Sequence, residues 1–84
     1  MTFEELTSQL KAILAEEGRE EVRWPVVEAM CDDVVQRLNT EVEPSYPHDI
    51  VYHFLEDADA RRKSPKYAES QRIRLVKWLD GSTA

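Results

Sequence analysis

Apolar side chains recur every three or four residues in four separate stretches of this 84-residue chain, and this spacing constrains the fold more than any other feature. Residues at such intervals share one face of an α-helix, and that face must be buried against another element. The chain has only two glycines, which disfavours a β fold with many tight turns. The pattern therefore predicts an all-α protein.

Capping residues predict where the helices begin and end. Thr2 and Glu5 form a capping-box pattern ahead of the first apolar stripe. Gly18 and Gly81 are typical helix stops, and Pro65 suits a first helical position because its missing N–H is not needed there. We predict helices at residues 3–17, 25–39, 46–60 and 65–80.

Four amphipathic helices joined by short connections can bury their stripes only against one another. We therefore expect a single domain over residues 1–84, folded as a compact four-helix bundle with an up-and-down or an orthogonal arrangement. A chain of this length buries only a little over ~60% of its unfolded surface. A homodimer would add buried surface, so self-association is part of the hypothesis.

The composition argues against several classes of protein. A single cysteine, Cys31, excludes an internal disulfide, and no Cys/His spacing is typical of a zinc site. The acidic N-terminus is unlike a signal peptide, and no apolar run approaches the ~20 residues of a membrane span. We expect a cytoplasmic protein with no cofactor, no metal and no membrane partner, in which Cys31 is buried and unreactive.

Charge is distributed unevenly along the chain. Residues 1–60 contain 15 acidic and 4 basic residues, whereas residues 61–84 contain 2 acidic and 7 basic residues, and the formal net charge is −6. Such a split indicates either a charged partner or neutralisation within the protein. In the second case the basic residues 61–63 complement the negative C-terminal dipole of the third helix. Arg72 lies on an apolar helix side, where we expect an ion pair.

The third predicted helix has an outward face that could bind a partner. It bears Asp49, His53 and Glu56 at positions i, i+4 and i+7, with Asp57 beside them. A carboxylate and an imidazole one turn apart can share a proton or hold a metal ion. Catalysis needs a concave site that excludes water, which an open helix face does not offer. The face is therefore interpreted first as a solvated surface with an i, i+4 pair; partner binding is the functional hypothesis for it, and a metal or acid/base site is an alternative.

The fourth predicted helix is basic and aromatic. Lys66, Arg74 and Lys77 share its outer face, with Tyr67 and Trp78 beside them. Basic residues neutralise phosphates and aromatic rings stack on bases, so the helix suggests nucleic-acid binding. The isoelectric point of about 4.8 disfavours that function, because an acidic body repels phosphate.

The order HDIVYHF, then SP, then VKW in a short acidic chain resembles the colicin-type nuclease immunity proteins. In that family a Tyr-Tyr-Pro element carries much of the binding. The corresponding place here reads Tyr52-His53-Phe54 and is followed by a longer basic segment, so no binding residue is carried over from the family.

Taken together, the sequence predicts a small acidic protein-interaction module without enzymatic activity. Its acidic surface on the first three helices would bind a basic protein partner, or the chain would bind itself. Nucleic-acid binding through the fourth helix is the alternative.

Overall fold

The computed structural model describes residues 2–40 and 47–83, and these residues form helices and no strand. The all-α prediction is confirmed. Five helices are present where four were predicted: α1 (Phe3–Glu17), α2 (Trp24–Thr40), α3 (His48–Glu56), α4 (Ala58–Lys63) and α5 (Pro65–Thr83). The predicted start of the third helix at residue 46 lies outside the described residues. No helix in the described ranges has the length and hydropathy needed to cross a membrane.

The capping box predicted for the first helix is present. The backbone N–H of Glu5 donates to Thr2 Oγ1 over 3.1 Å, and the N–H of Thr2 donates back to Glu5 Oε1 over 3.4 Å. Glu5 also accepts a bond of 2.7 Å from Arg37 of α2. These bonds, with Thr2 first among them, lower the pKa of the Glu5 carboxyl group. The same residue thus starts α1 and ties it to α2.

The third predicted helix is broken at Asp57. Its backbone, at φ −98° and ψ 20°, leaves the helical region, so α3 ends at Glu56 and α4 begins at Ala58. The N–H of Asp57 still donates to the carbonyl of His53, and its own carbonyl accepts from the N–H of Arg61. The backbone hydrogen bonds therefore continue across the break, and Arg61 keeps the buried spacing of Phe54 and Ala58.

The last helix begins as predicted and ends later. The N–H of Tyr67 donates to Ser64 Oγ over 3.3 Å, which caps the start of α5 ahead of Pro65. The helix then continues through Gly81 to Thr83, so the predicted stop at Gly81 is wrong. A glycine inside a helix costs about 1 kcal/mol but does not by itself end the helix. No described residue has a positive φ that would require glycine.

The hydrophobic core lies around α2. This helix packs against α1, α3 and α4, and α5 covers α3 and α4 from the other side. Every helix contributes buried apolar residues: Leu6, Leu10, Ile13, Val27, Cys31, Val34, Val51, Phe54, Leu55, Ala58, Ala68, Leu75 and Leu79. Nearly all of these belong to the predicted stripes, so hydrophobic burial positions the helices as the periodicity indicated.

A buried ion pair crosses this core between Arg61 of α4 and Glu17 at the end of α1. The two residues are only 1% and 4% exposed, and Arg61 Nη2 lies 2.9 Å from Glu17 Oε2. Arg61 Nε donates to Glu17 Oε1 over 3.0 Å, and Nη1 donates to the carbonyl of Phe54 and to Gln71 Oε1. Its guanidinium carbon also lies 3.8 Å above the ring of Phe54.

The position of Arg61 corrects the interpretation of the basic run at residues 61–63. Arg61 was expected to be a surface cation at a helix end, and instead it is among the most deeply buried side chains. The predicted ion pair of Arg72 is confirmed, because Arg72 Nη1 lies 3.0 Å from Glu17 Oε1. One buried carboxylate thus binds two guanidinium groups, from α4 and from α5.

We predict that replacing Arg61 with Met destabilises the protein by about 3–5 kcal/mol, because the Glu17 carboxylate then stays buried without its main partner. That loss is comparable to the whole stability of a domain of this size, so much of the variant should be unfolded. Urea titration followed by circular dichroism measures the change.

Lys63→Met is the matched control, since the Lys63–Asp59 pair is exposed and contributes under about 1 kcal/mol. The double variant Glu17→Leu/Arg61→Met should recover much of the lost stability, because no charge remains unpaired in the core. Equal effects of Arg61→Met and Lys63→Met would contradict the structural role assigned to Arg61.

Candidate functional site

The four residues predicted to bind a partner separate into three places. Asp49 and His53 line a groove between α3 and α5. Glu56 lines a different groove, between α2 and the α3–α4 junction. Asp57 lies at the junction and is bonded to α5. Asp49, His53 and Glu56 all belong to α3, so they separate because α5 packs on one side of this helix and α2 on another.

The α3–α5 groove has a volume of about 230 Å³ and is lined by Asp49, Ile50, His53, Tyr67, Gln71 and Arg74. It brings residues predicted for partner binding, Asp49 and His53, next to residues predicted for anion binding, Tyr67 and Arg74. A carboxylate and a guanidinium in the same small groove offset each other's charge. The groove therefore has no strong preference for an anion or for a cation.

Asp57 links the α3–α4 junction to α5. Its Oδ2 accepts a hydrogen bond of 2.6 Å from the hydroxyl of Tyr67 and one of 2.9 Å from Nε2 of Gln71. The bond to the Asp57 carboxylate raises the pKa of Tyr67, because it stabilises the protonated phenol. Gln71 in turn accepts from Arg61, so this surface network continues into the buried ion pair.

The residues predicted for anion binding on α5 differ in exposure. Lys66, Arg74 and Lys77 are exposed, as the helical wheel indicated. Trp78 is half-buried: it packs against the core, and its ring meets that of Phe3 edge-on with centroids 5.9 Å apart. Tyr67 keeps an exposed ring, but its hydroxyl is bonded to Asp57. The cations of α5 are thus accessible, whereas its tryptophan is partly covered.

The second groove, which we call the acidic groove, has carboxylates on both walls and an apolar floor. Its volume is about 540 Å³. One wall carries Glu28 and Asp32, one turn apart on α2, and the other carries Glu56 and Asp59 on either side of the α3–α4 junction. The remaining lining residues are apolar: Cys31, Val35, Leu55 and Ala58.

Within the described ranges, the carboxylates of the acidic groove lack the arginine partners that three acids of α1 have. Glu5, Glu16 and Glu17 each form an ion pair with arginine. Among the residues that the structure describes, no ion pair involves Glu28, Asp32 or Glu56, and Asp59 pairs only with the exposed Lys63. The groove therefore concentrates negative charge that the described part of the chain leaves largely unneutralised.

Cys31 forms part of the groove floor and is buried, as predicted. Burial raises the pKa of its thiol from 9.0 to about 11, although the nearby Arg61 cation acts in the opposite direction. Its Sγ lies 4.0 Å from Arg61 Nη2. The negative charge of the adjacent Asp32 also raises this pKa, but it is the smallest of the causes.

The carboxylates of the acidic groove are also candidate metal ligands. Within residues 2–40 and 47–83, no group of three or more His, Cys, Asp or Glu side chains is arranged to hold a metal ion. The described carboxylates of the acidic groove therefore do not form such a group.

The sequence alone did not indicate that Glu28, Asp32 and Asp59 belong to one site. Glu28 and Asp32 are four residues apart in the sequence and lie opposite the apolar stripe of α2, so their shared helix face was predictable. That these acids share one groove depends on tertiary structure, because only the packing of α2 against α3 and α4 brings the two walls together. Glu56 is the one predicted residue that belongs to the groove.

No protein-family model, curated protein or solved structure matches this chain. The resemblance to the nuclease immunity proteins therefore gains no support, and function must be inferred from the geometry of the grooves.

We predict that Ellman's reagent at pH 8 modifies Cys31 at least about 100-fold more slowly in the native protein than in urea. The thiol is buried, and a pKa near 11 leaves only about 0.1% of it as the reactive thiolate at that pH. The raised pKa also stabilises the fold at pH below about 9, and this contribution is lost as the pH rises through 11. Equal rates in native and unfolded protein would contradict this environment.

Proposed function

We propose that this protein is a non-enzymatic protein-interaction module whose acidic groove binds a basic segment of a protein partner. One observation carries the proposal: carboxylates from α2 and from the α3–α4 junction line one groove, and its other lining residues are apolar. This arrangement complements a lysine or arginine side chain, whose aliphatic stem packs on apolar surface while its cationic end meets the carboxylates.

The electrostatics of the groove support a basic occupant. Negative charges on Glu28, Asp32 and Glu56 repel one another, and in the described residues no cation of the chain offsets them. A partner that supplies the missing cations relieves this repulsion. Charge of one sign focused in a groove also speeds association, and salt weakens that effect.

Two features of the acidic groove favour binding over catalysis. Its thiol, Cys31, is buried and holds its proton up to about pH 11, which makes it a poor nucleophile at neutral pH. The walls contribute carboxylates alone, with no histidine beside them. We therefore assign the groove a role in recognition.

Nucleic-acid binding through α5 is the second candidate, and the exposure of Lys66, Arg74 and Lys77 favours it. The partial burial of Trp78 against Phe3 weakens it, because base stacking needs a free aromatic face. Asp49, His53 and Arg74 line the same groove, which is consistent with an acid/base site. The described lining of that groove contains no further carboxylate or histidine. We rank both below binding of a basic protein segment.

We predict that the triple variant Glu28→Gln/Asp32→Asn/Glu56→Gln binds a basic amphipathic peptide of lysine and leucine about tenfold or more weakly than the wild type. The reason is that it keeps the groove's shape and removes three of its four carboxylate charges. Isothermal titration at ionic strengths of about 0.01 M and 0.15 M measures the affinity and its dependence on salt.

The matched control is Glu20→Gln/Glu21→Gln/Asp33→Asn, which removes three exposed charges from outside the groove. This variant has the same net charge as the first and should bind almost as tightly as the wild type. Equal weakening of the two variants would mean that overall charge, and not the groove, determines binding, and the proposal would fail.

A further inference from the structure

The outer face of α5 carries apolar side chains that no other helix covers. Ile73 is 52% exposed and Val76 is 40% exposed, and together they form most of a shallow groove of about 360 Å³. The opposite face of α5, through Leu75 and Leu79, packs into the core. Two large apolar side chains one turn apart on a solvent-facing helix indicate a contact surface.

The charges around this patch have a regular arrangement. Glu69 lies four residues before Ile73 and Lys77 lies four residues after it, and both line the same groove. Residues spaced by four form a continuous ridge on a helix surface. The ridge Glu69–Ile73–Lys77 therefore has a negative end, an apolar centre and a positive end.

We propose that this ridge is the contact surface of a weak antiparallel homodimer, in which α5 crosses α5 of a second copy at Ile73. A two-fold axis at that point places Ile73 against Ile73 of the second copy. In the most common class of helix crossing, the ridges formed by every fourth residue of the two helices interdigitate. Glu69 of each copy then lies opposite Lys77 of the other. A ridge with opposite charges at equal distances from its centre is complementary to its own symmetry copy.

Other arrangements of the same two helices are less favourable. A parallel pair would place Glu69 opposite Glu69 and Lys77 opposite Lys77. An antiparallel pair shifted to bring Ile73 against Val76 of the second copy would lose both Glu69–Lys77 contacts. Opposite charges therefore meet at both ends of the ridge only in the arrangement centred on Ile73.

The proposed interface is small. A single helix crossing buries less than the roughly 1,000 Å² expected of a stable interface, so the dimer should be weak and concentration-dependent. The surface is separate from the acidic groove, which is formed by α2, α3 and α4. Dimerisation and binding of a basic partner can therefore be tested independently.

Sedimentation velocity of the full chain over about 10 µM to 1 mM tests the proposal, because a weak interface should dissociate within this range. We expect the wild type to shift from monomer to dimer. Ile73→Ser should weaken the dimer about tenfold or more, whereas Val26→Ser, at an exposed valine of α2, should leave it unchanged. Circular dichroism checks that both variants fold.

A charge exchange tests the antiparallel arrangement. Glu69→Lys alone and Lys77→Glu alone each place like charges opposite one another, so each should weaken self-association about tenfold. The double variant Glu69→Lys/Lys77→Glu should restore the dimer. An equal mixture of the two single variants should form a heterodimer, because every charge then faces its opposite.

Three results would overturn the proposal. The first is a wild type that stays monomeric at every concentration, in which case something else covers the patch. The second is a dimer that Ile73→Ser does not weaken, which would place the contact on another face. The third is a dimer that requires Ile73 but gives no recovery in the double variant or in the mixture, which would exclude the antiparallel arrangement.

Discussion

The buried pair of Arg61 and Glu17 is the interaction on which the arrangement of the helices depends. Glu17 ends α1, Arg61 belongs to α4, and the guanidinium also binds the last turn of α3 through the carbonyl of Phe54. Gln71 and Arg72 extend the same network to α5. Hydrophobic burial alone would tolerate small sliding of these helices, because it has no direction. The hydrogen bonds permit only one relative position.

This fixed position also creates the acidic groove. Arg61 holds α4 beside α2, so that Glu56 at the end of α3 and Asp59 on α4 line one groove with the acids of α2. Arg61 also lies directly beneath this groove, because its Nη2 is 4.0 Å from Sγ of Cys31 in the groove lining. The charged core residue therefore supports the proposed recognition surface from inside the protein.

The sequence predicted the features that depend on local spacing and failed where a distant residue decides. The capping box at Thr2, the start of α5 at Pro65 and the buried stripes were readable because their partners lie within a turn or two. The burial of Arg61 was not predicted, because its partner Glu17 lies 44 positions away. Arg61 continues the spacing of the buried Phe54 and Ala58, but it stands in a run of three basic residues that is typical of an exposed helix end. The walls of the acidic groove were missed for the same reason.

The guanidinium at position 61 also limits which side chain can occupy that place. Its three nitrogens donate in one plane toward the carboxylate of Glu17, the carbonyl of Phe54 and the amide oxygen of Gln71, while its flat face lies on the ring of Phe54. A lysine would keep the charge, but an ammonium group is a compact point with no flat face and cannot reach acceptors spread around a fork. The centre of this protein therefore depends on the shape of a cation as much as on its sign.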